Sequence, residues 1–127
     1  IWHEGRFLAD VAKLLVAKVR EIAGGKPAFC TGDFNSNQNT EAYKTIAGSG
    51  ILADSYVRCP SKTNGDWPTY NGYKYISTPP AAASRIDHVF VTPKDTKVVS
   101  WRIVNNSYNR KYPSDHFPVV IEWSLAE

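Results

Sequence analysis

Residues 29–37 read FCTGDFNSN. Two apolar residues run into Thr31-Gly32, and Asp33 and Asn35 then stand two apart. Glycine, Asp and Asn all favour turns, so composition alone fits an ordinary loop after a strand. The same residues at the mouth of a buried strand would form a platform for polar chemistry. Open α/β sheets gather their ligands at such strand ends. What the flanking sequence brings to this point decides between the two readings.

Upstream, Leu8, Val11, Leu15, Val19 and Ile22 recur at helical spacing within residues 6–23. Lys13, Lys18, Arg20 and Glu21 supply the wet side. Gly24-Gly25 stops this helix, because glycine takes the left-handed position beyond a helix end without steric cost. Residues 28–31 then read as a short buried strand. Downstream, Thr40 caps a second helix that ends near Gly48-Ser49-Gly50. Residues 52–57 read as another strand. Three more strand-like runs follow at residues 85–91, 97–105 and 117–123. In the second, Val99, Trp101 and Ile103 alternate against Ser100 and Arg102. In the third, Val119, Ile121 and Trp123 share a face. This order predicts one layered α/β domain over residues 1–127, with helices on one face of a mixed sheet. Its two helices cover one face only, so the other face expects a partner.

The chain has 127 residues, 43% of them hydrophobic and 21% charged, enough apolar material for the core of one domain. The formal charge of +3 suits an anionic substrate without requiring one. No apolar run approaches the ~18 residues that span a bilayer, so no transmembrane segment is expected. Cys30 and Cys59 read as free thiols. The chain opens IWHEG and contains no Met, which suggests a piece of a longer polypeptide. A signal for secretion or periplasmic export would then lie upstream, and localisation stays undecided.

Residues 58–84, RCPSKTNGDWPTYNGYKYISTPPAAAS, are rich in Pro, Gly, Asn and Tyr and show no period. A loop this long is unusual in a compact domain unless it is functional. It either lines a substrate groove or is a surface excursion pinned by its own aromatics.

Three polar clusters border apolar strands: Gly32-Asp33-Phe34-Asn35, Arg85-Ile86-Asp87-His88 and Ser114-Asp115-His116. Each alone has an ordinary reading as a turn, a satisfied buried carboxylate or a strand-entry loop. Together they bring three carboxylates, an amide and an imidazole to strand ends. Such a gathering repels itself unless a divalent metal or a cationic ligand joins it. Oxygen-rich donors with little thiolate favour Mg2+ or Mn2+ over Zn2+. A Ser-His-Asp triad is excluded, because residues 114–116 are adjacent in sequence and a triad needs side chains from separate elements. Arg102, Arg110 and Lys111 could steer an anion, although a solvated surface explains them equally simply.

TGDFN, RIDHVF and YPSDHFPV, in this order, resemble the C-terminal half of the endonuclease/exonuclease/phosphatase superfamily, and the resemblance covers essentially the whole chain. It implies the second half of a four-layer α/β/β/α sandwich and a metal-dependent phosphoesterase. By similarity, Asp33 orients or deprotonates the attacking water, and Asn35 helps place it against the phosphate. His116 meets the phosphate as base or charged stabiliser, Asp87 orients that imidazole, and Asp115 is a metal ligand. His88, on the opposite face of its strand, reads as structural. Thr69, Asn71 and Tyr73 are candidates for substrate contact.

A complete family member also has an N-terminal half with a metal-binding Glu and a His-x-Asp motif. Neither is found in this sequence, where Glu4 and Glu41 read as helix N-terminal carboxylates. The resemblance therefore implies a fragment that is nearly inactive alone. Its exposed sheet face would take the missing half or a second copy of itself. The substrate would be a phosphate ester: nucleic acid, phospholipid head group or sugar phosphate. The alternative is a degenerate member that binds a phosphate-bearing ligand or a protein without catalysis.

Overall fold

The computed structural model describes residues 2–126, with side chains from Gly5 onward. Helix α1 (Trp2–Ala23) leads to strand β1 (Phe29–Asp33), then α2 (Glu41–Ala47), β2 (Ala53–Asp54) and the single turn α3 (Ser55–Arg58). Strands β3 (Lys62–Thr63), β4 (Asp87–Val91), β5 (Thr96–Ile103) and β6 (Val119–Leu125) complete the chain. The layered α/β class is as read from sequence, but the strands divide between two three-stranded sheets instead of one. The first has order β1-β4-β2 and is antiparallel throughout; the second has order β3-β5-β6 and is mixed, β3 running parallel to β5.

Strand β4 joins two cores because its side chains alternate. Phe90 packs with Ala12, Ala42, Tyr43, Ile46 and Leu52 under α1 and α2. Val91 packs with Val98, Trp101, Ile103, Tyr112 and Phe117 on the far side. Full burial of Phe90, Leu52 or Trp101 is each worth about 1.5–3 kcal/mol. The face opposite the helices is therefore partly covered by the second sheet.

Several sequence readings are corrected. Ala9, Ala12 and the partly buried Leu8, Leu15, Val16 and Val19 form the inner side of α1. Val11 and Ile22 lie outside it; with Phe7 and Leu14 they make a second, exposed apolar stripe. The strand expected at residues 52–57 stops after Ala53–Asp54, because the Asp54 carboxylate accepts from the Tyr56 amide at 3.0 Å and caps α3. The alternation expected in β5 slips at a bulge between Val98 and Ser100, so Val98 is buried and Val99 is exposed. Strand β1, expected to be buried, is an edge strand exposed along most of its length.

Other readings hold. Thr40 accepts from the Tyr43 amide at 3.2 Å and caps α2, which ends at Gly48. Gly24 and Gly25 both have positive φ beyond α1. Both cysteines are free. Glu41 stands in the first turn of α2, whereas the side chain of Glu4 lies outside the described residues. No helix among the described residues is long and apolar enough to cross a membrane.

Candidate active site

The register of β1 against β4 sets the site. Asp33 stands directly opposite Asp87, and Gly32 opposite His88. Directly opposed residues of an antiparallel pair project on the same side, so two carboxylates are forced together. The repulsion is answered by His116, which enters from the loop before β6. Its Nδ1 lies 2.8 Å from Asp87 Oδ2 and its Nε2 lies 3.6 Å from Asp33 Oδ2. A carboxylate only accepts, so Nδ1 carries the proton and donates to Asp87. In the neutral ring Nε2 is then the free base; in the imidazolium it carries a second N–H. The hydrogen bond to Asp87 raises the His116 pKa above its ordinary value; burial opposes it as the next largest influence, and the charges of Asp87, Asp33 and Asp115 add smaller upward contributions.

The turn after β1 is built by the candidate residues themselves. Asp33 Oδ1 accepts from the Asn35 amide at 2.8 Å, and Asn35 takes a left-handed backbone with φ of 49°. Asn tolerates that conformation better than most residues. The turn leaves the Asn35 side chain exposed beside Asp33. It also fixes Asp33 while leaving Oδ2 toward His116.

His88 faces the helices. It is buried among Phe34, Tyr43 and Phe90, with Nε2 2.7 Å from the Ser36 carbonyl. The carbonyl accepts, so Nε2–H donates. Burial holds its pKa below the ordinary value.

The long segment contributes differently from expectation. Thr69 is fully buried, and its Oγ1 accepts from the amides of Ile86 at 2.9 Å and Asp87 at 3.1 Å. Asn71 is buried and donates from Nδ2 to the Ser114 carbonyl at 3.0 Å. Tyr73 is exposed, with φ of 62°. Tyr70, which the sequence did not single out, pairs with His116 through its backbone and sets its ring edge-on to the imidazole at 5.1 Å. It is half exposed and forms an aromatic wall beside the site. Gln38 was also missed: its Oε1 accepts from the Arg85 amide and its Nε2 donates to the Ala83 carbonyl, tying the loop after Asp33 to the entry of β4. Side chains serving backbone groups far away in sequence leave no local pattern. Arg102, Arg110 and Lys111 are exposed, and Arg110 lies over the Tyr75 ring at 5.6 Å.

Among the described residues, Asp33, Asp87 and His116 form the group able to hold a metal, with donor atoms within 4.8 Å of one another. Two carboxylates and an imidazole suit a hard divalent ion. Asp87 Oδ2 is engaged by His116, and of the two carboxylates Asp33 is the more exposed. Asp115 lies outside this group, and its backbone carbonyl accepts from the Asn71 and Gly72 amides.

The model of the endonuclease/exonuclease/phosphatase family matches residues 2–116. The chain belongs to this family. Among family structures, a mannosyl-6-phosphatase of Bacteroides thetaiotaomicron is 32% identical, with a TM-score of 0.80 over 92% of this chain and 45% of that one. A second family protein from the same organism is 31% identical, with a TM-score of 0.82 over 97% of this chain and 45% of that one. Nocturnin of Drosophila melanogaster is 27% identical over 87% of this chain and 21% of its own length. The chain thus spans less than half the length of the relatives it matches.

Proposed function

We propose that this chain carries one half of the active site of a metal-dependent phosphoesterase. The observation that carries the reading is the His116 imidazole, held by Asp87 at 2.8 Å and facing Asp33 at 3.6 Å across Nε2. In the proposed reaction, water held by Asp33 and Asn35 attacks phosphorus. The new P–O bond forms as the ester P–O bond breaks, the water's proton passes to Asp33, and solvent protonates the leaving oxygen. His116, kept protonated by Asp87, meets a phosphoryl oxygen through Nε2–H, where charge develops. Thr69 has no exposed surface for a ligand; Tyr73 and Tyr70 remain the candidates for contact with the alcohol portion. Mg2+ or Mn2+ held beside the Asp33–Asp87–His116 group, with Asp115, next to His116 in sequence, as a further proposed ligand, would supply neutralisation of phosphate charge.

The name of the mannosyl-6-phosphatase, at 32% identity, supports sugar phosphates as the first substrates to try, with nucleic acid and phospholipid head groups next. The test is a phosphoesterase panel on the longer protein with Mg2+ or Mn2+, and Asp33→Ala and His116→Ala as controls. Turnover lost with chelator and with either substitution supports the reading. Turnover in both variants equal to that of the unsubstituted protein sinks it.

We also propose that the 127-residue chain alone is nearly inactive and associates through its exposed strands. The relatives are more than twice as long, and the apolar Phe29 and Trp123, 4.7 Å apart, are both exposed where β1 and β6 meet. Enzyme-like cleavage by the isolated chain would overturn the first part.

A further inference from the structure

Asp87 and His116 meet at 2.8 Å, yet they belong to segments with no backbone hydrogen bond between them among the described residues. Strand β4 pairs with β1 and β2, whereas His116 lies in the loop before β6. A third segment, residues 69–72, spans the gap. On one side the Thr69 amide donates to the Ser84 carbonyl at 3.3 Å, while Oγ1 accepts from both the Ile86 and Asp87 amides. On the other side the Thr69 carbonyl accepts from Phe117 N–H at 2.8 Å. The Asn71 and Gly72 amides donate to the Asp115 carbonyl at 2.7 and 3.2 Å, and Asn71 Nδ2 reaches Ser114. The Thr69 hydroxyl oxygen thus holds Ile86 and Asp87 itself, and the Thr69 carbonyl holds the residue after His116.

We propose that Thr69 is the positioning residue of the Asp87–His116 pair. Its hydroxyl fixes the backbone of Asp87 while its carbonyl fixes the residue after His116, and the carboxylate–imidazole distance follows from that double grip. Thr69 is fully buried, so it acts through Asp87 and His116 and not on a ligand. Two adjacent amides converging on one oxygen need an acceptor there; an apolar side chain of the same shape leaves both unpaired. The inference deepens the phosphoesterase reading, but its geometric claim can be tested without turnover.

The variants are Thr69→Val, which keeps the shape and removes the acceptor, and Thr69→Ser, which restores it. Proton NMR of the chain reads the His116 Nδ1 proton donated to Asp87, and amide exchange reads Ile86 and Asp87. In Thr69→Val the low-field Nδ1 signal should vanish and both amides should exchange faster, while the Phe90 core signals stay unchanged. Thr69→Ser should restore all three. Should Thr69→Val fail to fold, Asn71→Ala releases the Ser114 side and should broaden the same Nδ1 signal. An unchanged Nδ1 signal in folded Thr69→Val, or in Asn71→Ala where the first variant does not fold, overturns the proposal. In an active longer protein, Thr69→Val should lower kcat about 10- to 100-fold with little change in KM. An inactive longer protein with the NMR result intact would refute the phosphoesterase reading and leave this one standing.

Discussion

Asp33 and Asp87 share a register position, and one imidazole lies between their oxygens. Removing the charge of Asp87 while keeping its shape tests that arrangement. In the active longer protein, Asp87→Asn should lower turnover by about two orders of magnitude or more, measured as kcat, because the ring loses its orientation and its proton. The same substitution has a stability signature. The folded pKa of His116 is raised above the ordinary His value near 6.5, so the folded state binds the proton more tightly. That stabilisation is fully present below about 6.5 and disappears as pH rises through the folded value. Urea midpoints should therefore separate wild type from Asp87→Asn more widely at roughly pH 5.5 than at roughly pH 9. Much of this was legible in the sequence: Asp33, Asp87 and His116 each border an apolar run, and the structure brings all three together. Asn35 was legible as a turn residue, and the turn is closed by Asp33 itself. Thr69 was misjudged as a substrate contact, since nothing in WPTYN announces that its hydroxyl serves amides distant in sequence.

Helices and strands were read well where one local rule governed them. Thr40 supplies the cap on α2 that its type predicts, and Thr40→Ala should cost about 1 kcal/mol in a denaturant titration. Readings failed where two rules competed. Residues 52–57 have strand composition, yet the Asp54-Ser55 pair is also a helix-start signal, and the cap prevailed. In β5 the apolar pair Val98-Val99 fits either phase, and only pairing with Trp123 and Glu122 selects Val98 for the interior. His88 gives the layer under the helices its own pH dependence. Its folded pKa is lowered by burial, so acid protonates the unfolded chain first, and stability falls as pH drops below about 6.5 toward the folded value. His88→Phe should flatten that acid slope in urea titrations, at the loss of the donor to Ser36.

At the scale of the whole molecule, two separate sheets, with β4 of the first sending side chains into both cores, replace the single sheet that alternation suggested, because periodicity reports faces and not strand partners. The exposed Phe29, Trp123 and Leu125, with the α1 stripe of Phe7, Val11, Leu14 and Ile22, offer apolar surface for association. Light scattering should find mass rising with concentration, and Trp123→Lys should reduce that rise; a concentration-independent monomer would count against the association. The three site side chains also come from segments far apart in the chain, with Asp33 pairing to a strand that follows two helices and a long loop. Contacts of that separation form late, since loop closure must precede them. The chain can therefore assemble its helical layer and remain chemically silent until residues 114–117 dock. In refolding, recovery of the His116–Asp87 contact should trail recovery of helicity, making the site a clock for the final folding step.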